Sequence, residues 1–170
     1  ISQIWYPLMQ ITDIKHLKAD VAVGGMDQRK IHALGKDLSK KLDYEFVAIH
    51  TPLITSLKGP GQKMSSSIPG SNISITDGKE EIEKTIKNAY CPAGEVAENP
   101  ILQISKLILF PHLGKIEISR PEKFGGNVIY TTYDDLESDY STAKLHPADL
   151  KSAVAKELEK IISSIRKNFR

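Results

Sequence analysis

Apolar positions along this chain change their period several times, and each change marks an element. Over residues 5–17, Leu8, Ile11 and Ile14 recur at the spacing of one helix side. Tyr6, Gln10 and Asp13 fall on another stripe of that helix at i, i+4 and i+7, so a phenol, an amide and a carboxylate share one line. Such a stripe by itself is usually solvent-facing. Pro7 suits only a first turn, and the helix is expected to begin around it.

Val21-Ala22-Val23 and Phe46-Val47-Ala48-Ile49 are unbroken apolar runs, which predicts buried parallel strands. The first ends in Gly24-Gly25, then Met26-Asp27-Gln28 and a helical stretch over residues 29–42. The second closes at His50-Thr51-Pro52. This is one strand–helix–strand crossover, and a Gly-Gly turn after its first strand lets backbone approach a nucleotide. Glycine pairs also make plain turns.

Residues 59–70 hold three glycines and two prolines, which rules out a regular element. Lys63-Met64-Ser65-Ser66-Ser67 lies at the centre of this loop. One ammonium and three hydroxyls in a loop beyond a strand suit a phosphate chain whose charge grows during a reaction.

Farther on, residues 73–75 read as a short strand, and Thr76 or Asp77 as the cap of a helix over residues 79–89. Tyr90-Cys91-Pro92-Ala93-Gly94 breaks that helix and is the expected boundary between two domains, residues 1–91 and 92–170. Asn99 and Pro100 start a very apolar helix running to residue 110. His112-Leu113-Gly114 reads as a loop, residues 115–119 and 127–130 as strands, and Thr132 as the cap of a helix to residue 140. In the last helix, from His146-Pro147 to about residue 168, Leu150, Val154, Leu158, Ile161 and Ile165 form one core stripe. Its lysines and arginines read as a solvated face. The first part is thus α/β and the second mainly helical.

Composition changes this picture little. Hydrophobic residues at 40% and charged residues at 26% are ordinary for a globular chain of 170 residues. A net charge of +2 neither requires nor excludes nucleic acid, so any basic footprint is local. The single cysteine, Cys91, forms no internal disulfide and builds no zinc site alone, which points to a reducing compartment, the cytoplasm. No apolar run approaches the roughly 20 residues a membrane-spanning helix needs.

Lys63 to Ser67 looks like the signature loop of class I aminoacyl-tRNA synthetases. Together with Tyr6 to Asp13, Gly24 to His32, Pro121 to Gly126 and His146 to Leu150, it resembles the tyrosyl-tRNA synthetase family of archaeal and eukaryotic type. The resemblance covers essentially the whole chain. It implies the carboxyl-terminal part of a Rossmann-like parallel-sheet catalytic domain followed by an anticodon-binding domain. It further implies that Tyr6, Gln10, Asp13 and Gln28 hold tyrosine, and that Gly25 and Asp27 approach the ATP ribose. Lys63, Met64, Ser65, Ser66 and Ser67 would close over the triphosphate, with Lys63, Ser65 and Ser66 acting in catalysis. The class-wide pattern has a lysine where Ser66 stands. ATP with Mg2+ enters as substrate, and no protein-bound metal is implied.

For tRNA(Tyr), the resemblance implies contacts at Asn88, Ala89, Tyr90, Cys91, Phe124, His146, Pro147, Ala148 and Asp149. Phe124 would stack on the first anticodon base. Packing is the favoured role of the Cys91 side chain. The family's His-x-Gly-His element is absent from the sequence, and the chain opens on Ile1 in what reads as structured interior. It is therefore expected to be a fragment that forms no tyrosyl-adenylate alone, from a homodimeric parent. A tryptophanyl-tRNA synthetase fragment and a non-catalytic tRNA-binding module stay open as other readings.

Overall fold

The structure, a computed structural model, describes residues 2–61 and 64–168, and side chains from Trp5 onward. Contacts gather into two compact units, one through Leu53 and one from Ile54.

In the first unit, helix α1 (Ser2–His16) packs on α2 (Arg29–Asp37), and β1 (Val21–Gly25) pairs in parallel with β2 (Val47–Thr51). Pro7 lies inside α1 rather than starting it. Such a proline withholds one backbone donor and leaves the carbonyl four residues earlier without its helical partner. A 3-10 turn (Met26–Gln28) follows β1 directly, and Leu38 separates α2 from the short α3 (Ser39–Leu42). Asp43, in the left-handed region at φ 47°, ends α3.

The strands are parallel as expected but not buried. Val21, Val23, Val47 and Ile49 are 48–67% exposed. An unbroken apolar run reports strands meant to be covered on both faces, yet no layer of this unit covers that side. The small core sits on the other side, where Ile11 and Phe46 close on Gly35. Tyr44 Oη donates to the Ala19 carbonyl at 2.8 Å and Lys15 Nζ to the Leu42 carbonyl at 2.7 Å, tying α1's end to the segment before β2.

The second unit has one contiguous core around α8 (Pro147–Asn168). Helix α4 (Lys79–Asn88) lies antiparallel to it: Lys151 Nζ bonds the Lys87 carbonyl at 3.1 Å, and Arg166 near the other end bonds the Asp77 carbonyl. Residues 73–75 form no strand. Asp77 instead closes a turn, accepting from Ser74 N–H at 2.8 Å, which leaves Gly78 at the helix start without a side-chain cap.

Asn99 does cap α5 (Pro100–Ile104), its Oδ1 accepting from Ile101 and Leu102 N–H at 3.1 and 3.3 Å. The helix widens into a π segment at Ser105–Leu109 and continues as α6 (Phe110–Leu113), so residues 112 and 113 are helical rather than loop. Pro111 explains the widening. It offers no N–H to the carbonyl of Leu107 and its ring crowds that oxygen.

An antiparallel pair follows, β3 (Ile116–Ile118) with β4 (Val128–Tyr130), and then α7 (Tyr133–Ser141), capped by Thr132 accepting from Asp135 N–H at 3.2 Å. Along α8, Leu150, Val154 and Leu158 are buried, but Ile162 continues the stripe and Ile165 is 43% exposed. Ala153, Ala155 and Glu157 are buried too, because α8 is covered on more than one side. Part of its basic face is partnered: Lys160 on Glu157 at 2.6 Å and Arg166 on Glu159 at 2.9 Å. Among the described residues no helix is long and apolar enough to cross a membrane.

Candidate functional site

Within the first unit, the α1 stripe presents Tyr6 and Asp13 outward, while Gln10 is half-buried. Gln10 Oε1 is shut off from water and has no hydrogen-bond partner among the described residues. A buried acceptor left unmet costs about 1–3 kcal/mol, so this amide stands ready for a donor from outside the chain. No hydrogen bond joins Tyr6, Gln10 or Asp13 to Gln28 among the described residues. Gln28 instead donates through Nε2 to Asp27 Oδ2 at 2.7 Å, which orients an exposed carboxylate just beyond β1.

Gly25 has an ordinary extended backbone, so its conformation does not require glycine; the missing Cβ leaves room for neighbouring side-chain ends instead. A Cβ would stand 2.5 Å from Asp27 Oδ1 and 2.8 Å from Leu53 Cδ2. The turn is a cradle with its carboxylate folded against a bare backbone.

Beneath this turn lies a pair that the sequence reading did not single out. His32 Nδ1 and His50 Nε2 share a hydrogen bond at 3.0 Å, and His32 is buried with its ring edge-on to Phe46. Burial first, and the neighbouring His50 second, lower the His32 pKa and favour its neutral form. The strand register sets Gly24 opposite His50, and with α2 packed beside the strands this brings the two histidines together; no signal in the sequence announces the pair.

Within the second unit, Lys63 lies outside the described residues, while Met64, Ser66 and Ser67 are exposed and Ser65 is half-covered. Ser71, which carries no functional signal in the sequence, holds this loop. Its fully buried hydroxyl donates to the Ser65 carbonyl at 2.7 Å and accepts from Ser65 N–H at 3.0 Å. Ser65 and Ser67 hydroxyls lie 2.8 Å apart. One buried serine therefore fixes the backbone from which the exposed hydroxyls project.

The remaining candidates divide by exposure. Phe124 is 61% exposed at the end of a 3-10 turn (Glu122–Phe124), with Lys123 Nζ 4.9 Å from its ring centroid. Its bare face is free to stack. His146 Nδ1 accepts from Ala148 N–H at 3.1 Å, so a neutral ring carries its proton on Nε2, as an outward donor. Pro147 and Asp149 occupy the first turn of α8, half-buried, with Ala148 exposed.

Arg120, also unmarked by the sequence, links these two places. Its Nε donates to the Gly126 carbonyl at 2.7 Å and its Nη1 to the Lys144 carbonyl at 3.1 Å. Gly125 must be glycine here, with φ +97° and the guanidinium 3.2 Å from where a Cβ would be. The Phe124 turn is thereby fastened beside the segment that leads to His146.

Asn88 is exposed and Tyr90 half-buried, whereas Ala89 and Cys91 turn their side chains into the core. Cys91 Sγ lies 3.1 Å from Tyr140 Oη, which donates to the Pro92 carbonyl at 2.7 Å, and Asn99 Nδ2 approaches both. Burial raises the Cys91 thiol pKa above its ordinary value, the mark of a packed thiol rather than a reactive one. Among the described residues no His, Cys, Asp and Glu side chains cluster so as to hold a metal.

Comparison with known proteins gives this arrangement a context. Residues 1–163 match the family described as tRNA synthetases class I (W and Y). A tyrosine--tRNA ligase from Archaeoglobus fulgidus is 51% identical over 170 residues, covering 99% of this chain and 52% of its own length. The crystal structure of tyrosyl-tRNA synthetase complexed with L-tyrosine from the same organism superposes with a TM-score of 0.87 at 50% identity, over 98% of this chain and 51% of that one. The chain thus spans about half the length of the curated relatives it matches. Tryptophanyl-tRNA synthetase from Giardia lamblia is 18% identical over 87% of this chain and 36% of its own, with a TM-score of 0.64, and shares the fold alone.

Proposed function

This chain belongs to the class I tRNA synthetases of the tryptophan and tyrosine type, and from that premise we propose that it is the carboxyl-terminal half of a tyrosine–tRNA ligase. Residues 1–91 contribute to the catalytic domain and residues 92–170 form the anticodon-binding domain. The observation that carries this reading is Gln10, whose buried, unmet carbonyl shares a stripe with Tyr6 and Asp13. A tyrosine ammonium or phenol supplies the missing donor, and Asp13 and Gln28 supply further polar partners.

The tyrosine carboxylate attacks the α-phosphorus of ATP. An oxygen–phosphorus bond forms to tyrosine while the bond to pyrophosphate breaks. No protein nucleophile is needed, so the residues act by position and charge. Gly25 admits the nucleotide, and Asp27, held by Gln28, accepts from its ribose hydroxyls. Met64 to Ser67 close over the phosphates on the platform held by Ser71, with Ser65 and Ser66 donating and Lys63 answering the charge of departing pyrophosphate. Mg2+ accompanies ATP and offsets the same charge. In the second step tRNA(Tyr) accepts the tyrosyl group, its anticodon read by Phe124 stacking and by edge bonds from the His146–Asp149 turn. The parent protein works as a cytoplasmic homodimer.

Tyrosine-dependent ATP–pyrophosphate exchange by the full-length parent tests this directly. Exchange with tyrosine, and none with tryptophan, is the expected result; exchange with tryptophan instead would overturn the assignment. Gln10→Ala in the parent should raise the KM for tyrosine at least tenfold with little change in the KM for ATP.

A further inference from the structure

Helices α4 and α8 enclose an open groove of about 1130 Å³ whose rim is rich in lysine. Not all of its charges are free. Glu83 is 3.8 Å from Lys79, Glu159 pairs with Arg166, and Lys160 is neutralised on Glu157. Lys87, Lys151 and Lys156 remain, and none of these makes an ion pair among the described residues. Lys151 is held in place by the Lys87 carbonyl at the end of α4, which leaves its other ammonium protons free for a ligand. The antiparallel helices bring Lys87 and Lys151 to the end of the groove that His146, Pro147 and Ala148 also line, with Lys156 farther along its wall.

We propose that this groove is a docking track for an RNA phosphate backbone, running from the base-reading turn at His146 along α8. The inference rests on the tRNA-ligase reading above and adds residues outside the base-reading positions. Its grounds are charge complementarity and continuity. Free ammonium groups on fixed helices match successive phosphates, and a backbone leaving a base beside His146 enters the groove at Lys87 and Lys151. Lys156 lies a little over one turn farther along α8 from Lys151. Such contacts position the RNA and carry no sequence information.

The test is tRNA(Tyr) binding by the full-length parent across a salt series, for wild type and for the K87Q/K156Q variant. Both side chains are exposed and make no ion pair among the described residues, so the variant should fold normally, as circular dichroism would verify. Each lost phosphate contact lowers the slope of log K against log salt by about 0.7–0.9. The expected result is a slope shallower by about 1.5 and binding weakened at least about tenfold near 0.1 M salt. Discrimination against a changed first anticodon base should stay as in wild type. An unchanged slope in a folded variant overturns the groove while leaving the ligase reading intact. Failure of the wild type to bind tRNA(Tyr) overturns both, and the exchange assay above tells these cases apart. Adding K151Q should remove a further 0.7–0.9 from the slope.

Discussion

The two units of this chain treat their hydrophobic residues in opposite ways. In the second, α8 is enclosed by α4, α5, the π segment and β3, and Leu150, Val154, Ile101 and Leu136 are wholly buried. In the first, two parallel strands turn Val21, Val23, Val47 and Ile49 outward and keep a core of few side chains. The contrast separates burial from placement. The first unit holds the Gly25–Asp27–Gln28 turn in a defined geometry through strand register, tight turns and the bond of buried His32 to His50 rather than through a large core. The second achieves rigidity by packing and hangs exposed groups, Phe124, His146 and the Ser65–Ser67 loop, from buried anchors.

Substitutions that shrink a side chain in each unit should widen this contrast. Leu150→Ala in the second unit should cost about 2–5 kcal/mol, measured by urea unfolding, because the enclosed site leaves a cavity. A cost near zero would show that α8 is not the centre of a close-packed core. Raising the pH comes next. Burial, followed by the hydrogen bond and charge of Asp139, pushes the Tyr130 hydroxyl up to about 12. The folded state thus favours the protonated phenol. That contribution is complete below about pH 10, the ordinary tyrosine value, and disappears as pH rises through the folded pKa near 12. Tyr130→Phe should flatten the alkaline limb of a Tm-against-pH curve.

Asn99→Ala removes the cap of α5 along with the amide that bridges Cys91 and Tyr140, and should cost about 1–2 kcal/mol. Acid acts on the other unit. His32 is held neutral in the fold, so its contribution is present above the ordinary histidine value of about 6.5 and is lost as pH falls through the lowered folded pKa. The fluorescence of Trp5, the only tryptophan, reports this unit and should show an acid-side loss of stability that His32→Gln reduces. Val23→Ala should be the mildest change, within about 0.5 kcal/mol, since Val23 is 67% exposed. A cost comparable to that of Leu150→Ala would mean that something covers the strand face in solution.

Local rules were legible wherever one residue decides a local bond. Asn99, Pro100 and Thr132 start helices as their side chains dictate, whereas the glycine pair expected to turn the chain continues β1, Gly24 and Gly25 pairing with His50 and Thr51, and the turn follows at Met26–Gln28. The candidate site was legible as motifs in order, because short-range spacing sets the Tyr6–Gln10–Asp13 stripe and the serine loop. Helix bounds misled where proline had two options. Pro7 could start α1 or be carried inside it, and Pro111 could end a helix or widen it. Those choices depend on what packs around them.

Alone, the sequence determined the caps of α5 and α7, the parallel pairing of two apolar runs and the family to which the motifs belong. Only the tertiary structure decided that Ser71 holds Ser65, that Arg120 fastens the Phe124 turn beside the path to His146, and that His32 meets His50. It also decided which lysines of α8 are neutralised and which stay free. The contacts of His32 with His50 and of Arg120 with Lys144 join residues distant in the chain, so their meeting depends on how elements pack. Ser71 with Ser65 and Lys160 with Glu157 are close in sequence, but which such neighbours bond depends on the loop path and side-chain conformations that packing selects, and an isolated serine, arginine or histidine carries no periodic signal that announces a partner.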